Sequence, residues 1–103
     1  MNSRNKGKRG ELELAAILRK YGFDARRGRQ YCGGAGDADV VGLPGVHIEC
    51  KRVERLNIDA AMEQAVRDAR PGEMPVVMHR RSRKPWLVTQ LLTDFLEARK
   101  RER

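Results

Sequence analysis

Apolar residues recur at helical spacing in Leu14, Ala15, Leu18 and Tyr21, with Leu12 and Ile17 flanking, which predicts a first helix from about Lys8 to Tyr21 stopped by Gly22. Glu11 lies on that stripe and Glu13 does not. Phe23 to Arg26 then reads as a strand, and Gly28 to Gly36 as a glycine-rich loop grouped with Arg26, Arg27, Arg29, Gln30 and Tyr31, which is either an ordinary flexible connection or a means of bringing backbone amides near a phosphate, though without the P-loop pattern. A second helix is predicted over Ile58 to Arg70, burying Ile58, Ala61, Met62, Ala65 and Ala69 and ended by Pro71-Gly72. Two β-rich runs follow, Pro75 to His79 and Trp86 to Thr89, joined by a basic turn. A third helix spans Leu91 to about Arg101 and carries Leu91, Leu92, Phe95 and Leu96. The predicted order is α-β-β-β-α-β-β-α, an α/β (α+β) domain with a central mixed sheet of about five strands flanked by helices. All 103 residues form one predicted domain.

Between the first two helices the pattern changes to a period of two, centred on a turn at Leu43-Pro44-Gly45. That turn sets Val40 opposite Ile48 and Asp39 opposite Glu49. Val40, Gly42, Val46, Ile48 and Cys50 then share one face, which reads as core, while Asp37, Asp39, Val41, His47, Glu49 and Lys51 share the other. Carboxylates directly opposite on paired strands have Cβ atoms about 5 Å apart and repel one another. A cation must lie between them: Lys51 can serve in part, and two carboxylates with open oxygens suit a hard divalent ion such as Mg²⁺. The plainer alternative is a solvated hairpin face. Asp37 also points to this side, but cross-strand pairing favours Asp39 as the first acid. Glu11, facing inward from the first helical turn, either answers the helix N-terminus or is a third acid aimed at the hairpin.

Charge sharpens this reading. Twenty-two Lys and Arg against 14 Asp and Glu give a net charge of +8, as expected of a partner for phosphates. The cations cluster along the whole chain, with Lys6, Lys8, Arg9, Arg27, Arg29, Arg52, Arg80 and Arg81 as candidate nucleic-acid contacts. No apolar run is long enough to cross a bilayer and no secretory signal opens the chain, so a cytoplasmic, non-secreted protein is expected. Two cysteines make no disulfide framework. A zinc site from Cys32, Cys50, His47 and His79 lacks the spacing such sites use. The two histidines are expected to be surface or satisfied residues, and most of the five aromatic residues to be core.

The segment Lys6-Gly7-Lys8-Arg9-Gly10-Glu11, the Tyr21-Gly22-Phe23 helix end, the glycine loop, Ala38-Asp39-Val40-Val41, Glu49-Cys50-Lys51 and Gln64 occur in an order that resembles the PD-(D/E)xK nuclease superfamily. Within it, the chain resembles archaeal-type Holliday junction resolvases and related phage-encoded nucleases. Alanine stands at position 38 where that pattern has proline. The resemblance implies that Asp39 and Glu49 bind Mg²⁺ or Mn²⁺ with the backbone carbonyl of Cys50, and that Glu11 joins them directly or through water. It further implies that Lys51 orients the attacking water and stabilises phosphate charge, that Gln64 supports the site, and that two copies act as a homodimer on branched DNA.

Phosphodiester hydrolysis needs an activated water and a counter-charge for the developing phosphorane, and a carboxylate-held metal supplies both. Lys51 fits electrostatic stabilisation first and base catalysis second. Two classes of function follow: a metal-dependent DNA endonuclease, or a non-catalytic nucleic-acid-binding module accessory to a phage or replication complex. The set Glu11, Asp39, Glu49 and Lys51 favours the enzyme, because a pure binder gains nothing from acids placed where phosphates must approach.

Overall fold

The computed structural model describes residues 3–29 and 38–102. Helix α1 (Ser3–Lys20) is followed by β1 (Arg26–Arg27), β2 (Val40–Val41), β3 (Val46–Arg52), α2 (Ile58–Asp68), β4 (Met74–Arg80), β5 (Leu87–Gln90) and α3 (Leu92–Arg101). The five strands form one sheet in chain order, antiparallel throughout except for the parallel β3–β4 pair joined through α2. Parallel strands need such a crossover, and its helix covers one face of the sheet. Residues 30–37, which include most of the glycine loop with Gln30, Tyr31 and Cys32 and also Asp37, lie outside the described residues, as do the side chains before Gly7 and hence that of Lys6.

Helix α1 begins five residues earlier than its apolar stripe predicts, because a polar first turn needs no buried face to continue a helix already anchored at Leu14 and Ala15. It ends where expected. Gly22 takes φ +96° and donates to the Arg19 carbonyl while Phe23 donates to Leu18, the double bond that closes helices through a left-handed glycine. This closure swings Tyr21 out of the predicted stripe to 78% exposure and draws Phe23 into the helix cap, so the first strand shrinks to Arg26 and Arg27. Leu14 and Ala15 pack with Ala25, Val40, Ile48, Cys50, Val76 and Met78 in the larger core.

On the opposite face α2 lays Ala61 and Ala65 on Val77. These small side chains let helix and sheet approach closely. Asn57 caps the helix by accepting from Ala60 N–H at 3.0 Å. The acid-bearing face of the hairpin is therefore no solvated surface: it is the floor beneath α2.

Helix α3 departs from expectation. It buries no residue, and Leu91, Leu92, Phe95 and Leu96 are 40–69% exposed. The aromatic residues also differ from their predicted core placement, since Tyr21, Phe23 and Phe95 are exposed and Trp86 is half-buried. The core is instead filled by aliphatic residues, alanine, methionine and Cys50.

Candidate active site

The β2–β3 hairpin sets the site. Gly42 has φ +109°, and a Cβ there would meet the Asp24 carbonyl and lie 2.6 Å from Ala25 Cα, so only glycine lets the hairpin press against the chain leading into β1. The turn closes with Val46 N–H donating to the Leu43 carbonyl at 3.2 Å. The register is then Val40 opposite Ile48, as the sequence predicts, and Asp39 N–H donates to the Ile48 carbonyl at 3.1 Å.

Asp39 consequently lies beside Glu49. Its Oδ2 accepts from Cys50 N–H at 2.8 Å, and the two carboxyls are within hydrogen-bonding reach of each other. Burial, and then the Glu49 charge, push the Asp39 carboxyl up to about 6, with the Cys50 amide and Lys51 opposing. Glu49 is 3% exposed. A buried acid beside a half-buried one forms a site that one proton or one cation must neutralise.

Lys51 extends from the same face of β3, and its Nζ donates to Gln64 Oε1 on α2 at 3.5 Å. Gln64 is thus placed to hold the ammonium beside the acids. Cys50 points into the α1 core, where burial and the nearby acids push its thiol up to about 12. The thiol stays protonated and contributes no ligand; the residue's described role is its amide. Cys50 and His47 fall on opposite faces, which separates two of the four residues considered for zinc.

Glu11 is drawn elsewhere: Arg27 Nε donates to its Oε1 at 2.8 Å. Among the described residues no three His, Cys, Asp or Glu side chains converge to hold an ion. The structure therefore brings together Asp39, Glu49, Lys51 and Gln64, and leaves Glu11 on Arg27. A pair of carboxylates still fits a hard divalent ion, since Mg²⁺ commonly binds through one or two carboxylates and keeps several waters.

Two polar residues, His47 and Glu13, take places that the sequence alone does not show. His47 is 5% exposed, its Nε2 lies 2.8 Å from Glu49 Oε1, and its Nδ1 lies 3.8 Å from Glu73 Oε1. Its place on the acid face was visible from strand alternation, but its burial beneath a helix was not. Glu13 accepts from Trp86 Nε1 at 2.8 Å and from Arg80 Nη1, with Arg52 Nε 3.6 Å away, pinning α1 to the far end of the sheet. Arg52 and Arg80, predicted to meet nucleic acid, are half-buried around this carboxylate, whereas Lys8, Arg9, Arg29 and Arg81 are exposed. His79 pairs with Thr89 at 2.8 Å, and burial lowers its pKa.

A mixed five-stranded sheet with flanking helices, carrying an acid on one hairpin arm and Glu-x-Lys on the other, defines the restriction-endonuclease-like fold of PD-(D/E)xK nucleases. Residues 2–102 match the family described as "Phage putative PDDEXK endonuclease", and the chain belongs to that family. Among solved structures it is similar to Hjc of Archaeoglobus fulgidus, a Holliday junction resolvase from an archaeal hyperthermophile, with a TM-score of 0.61 and 31% identity, covering 82% of this chain and 72% of that one. Among curated proteins none matches.

Proposed function

We propose that this PDDEXK nuclease is a divalent-metal-dependent DNA endonuclease selective for branched DNA, acting as a homodimer in the cytoplasm of a prokaryotic cell or a phage-infected host. The observation that carries the reading is the buried Asp39–Glu49 pair with Lys51 beside it. Placing two like charges together under a helix is costly for a fold, and a metal-binding hydrolase gains from it. The resolvase named above acts on Holliday junctions, and the similarity to it supports the branched substrate.

Asp39 and Glu49, with the Cys50 carbonyl, would hold Mg²⁺ or Mn²⁺. When bound, such an ion lowers the pKa of a water and neutralises developing phosphate charge. Lys51 brings its ammonium to the nonbridging oxygens, where preorganised charge is most effective in a desolvated site. Gln64 restrains Lys51 through their contact. Asp39 must give up its proton before an ion is accepted, so the site is ready above about pH 6. Glu11 would join the ion once phosphate draws Arg27 away.

The exposed apolar residues of α3, Leu92, Phe95 and Leu96, support the dimer, since exposed apolar side chains at helical spacing suit an association surface. Twofold pairing would also present two sites to the two strands of a junction. Among the described residues no helix is long and apolar enough to cross a membrane. The test incubates the protein with labelled four-way junction, flap, single-stranded and duplex DNA, with Mg²⁺, with Mn²⁺ or with chelator, alongside Glu49→Gln. Metal-dependent cutting of the junction, lost in the variant, is the expected result. Tight binding without cutting would replace the enzyme by the accessory module.

A further inference from the structure

The most unusual side chain outside the acid pair and Lys51 is His47. The α2 side of the sheet is otherwise built from Ala61, Ala65 and Val77, and an aliphatic residue at position 47 would suit it. Instead an imidazole is buried there, and its Nε2 lies 2.8 Å from Glu49 Oε1 in a buried hydrogen bond. A carboxylate that ligates a metal is ionised and can only accept, so in that state His47 would present Nε2–H to Glu49. Its other edge faces Glu73 and a cleft of about 400 Å³ near the hairpin turn. The ring is thus held between a polar cleft and one oxygen of Glu49, an acid proposed above to hold the ion.

We infer that His47 is a positioning residue: it fixes the side chain of Glu49 through Oε1 and leaves Oε2 to bind the divalent ion. The inference rests on the metal-dependent reading of the Asp39–Glu49 pair. A strand places residues two apart on one face, so the His-x-Glu spacing builds the contact into β3 itself. Donors behind a ligating group orient it and raise metal affinity, and their loss commonly costs about 10–100-fold. Preorganising Glu49 matters here because Asp39 is the only other acid the described site supplies at close range.

The test compares His47→Asn with His47→Gln. The glutamine amide reaches as far as imidazole Nε2, whereas the asparagine amide ends at the position of Nδ1, short of Glu49. Mn²⁺ binding to DNA-free protein is measured by calorimetry at mildly alkaline pH, with thermal unfolding in chelator recorded for each variant and Glu49→Gln as control. His47→Asn is expected to weaken Mn²⁺ binding at least about 10-fold, while His47→Gln stays within about 3-fold of wild type. Equal Mn²⁺ affinity in wild type and both variants, with loss only in Glu49→Gln, would overturn the role of His47 and leave the metal site standing. Parallel loss of affinity and thermal stability in both variants would make His47 merely structural. A wild-type protein that takes up no Mn²⁺ would remove the metal reading and this inference together.

Discussion

Replacing Asp39 by asparagine should stabilise the metal-free protein while abolishing cleavage. In the native state the Asp39 carboxyl rises from an ordinary 3.8 to about 6 through burial and the adjacent Glu49. Each pKa unit is worth about 1.4 kcal/mol, so the ionised carboxylate costs the fold about 3 kcal/mol at neutral pH. The native state holds this proton more tightly than the unfolded chain. Wild-type stability therefore falls as pH rises from about 4 to about 6 and then levels off. The amide in Asp39→Asn is neutral at every pH, can accept from Cys50 N–H, and can donate to Glu49 as the protonated acid does. The variant should gain about 1–3 kcal/mol near pH 7.5, raising Tm by about 5–15 °C, and almost nothing near pH 4. Urea titrations in chelator at both pH values measure this. A variant no more stable than wild type at neutral pH would show that Asp39 and Glu49 do not repel each other in the fold.

Further predictions follow from other parts of the molecule. Glu13→Ala leaves Trp86 Nε1, Arg80 and Arg52 without their shared acceptor and should cost about 2 kcal/mol, read through the single tryptophan's fluorescence on denaturation; a loss below about 0.5 kcal/mol would deny the pin. Gly42→Ala meets the Asp24 carbonyl and should cost more than about 3 kcal/mol, whereas Gly45→Ala, at φ +74° in open space, should cost about 1 kcal/mol; comparable melting of the two variants would contradict the hairpin contact. Because a bound cation displaces the Asp39 proton, apparent Mg²⁺ affinity should drop about tenfold per pH unit below about pH 6, and a flat calorimetric profile there would rule out Asp39 as ligand.

Much of the hairpin site could be read from local rules. A short turn and strict alternation set Asp39 beside Glu49 and turned Lys51 the same way, because register follows from turn geometry. Gln64 was singled out only through the family resemblance, and α2 brings its Oε1 to 3.5 Å from Lys51 Nζ. What could not be read was set by packing between distant segments. Only the parallel β3–α2–β4 crossover reveals that the acid face is covered, and hence that His47 and Glu49 are buried together. Glu13 looked like a surface residue of α1, yet its partners lie 67 and 73 positions away. Arg27 was counted as a free cation, and its claim on Glu11 depends on how β1 passes the helix. The exposed side of α3 shows the opposite failure: its apolar spacing predicts burial, but a pattern cannot say whether the covering surface belongs to the same chain.

Whether Asp39 and Glu49 jointly hold one divalent ion can be seen most directly by anomalous diffraction from crystals soaked in Mn²⁺, compared between wild type and Glu49→Gln. Wild-type crystals should show a single strong peak within bonding distance of Asp39 and Glu49 carboxylate oxygens, absent from the variant. An ion bound elsewhere, or metal-dependent cleavage in a protein whose Asp39–Glu49 pair holds none, would contradict such joint binding.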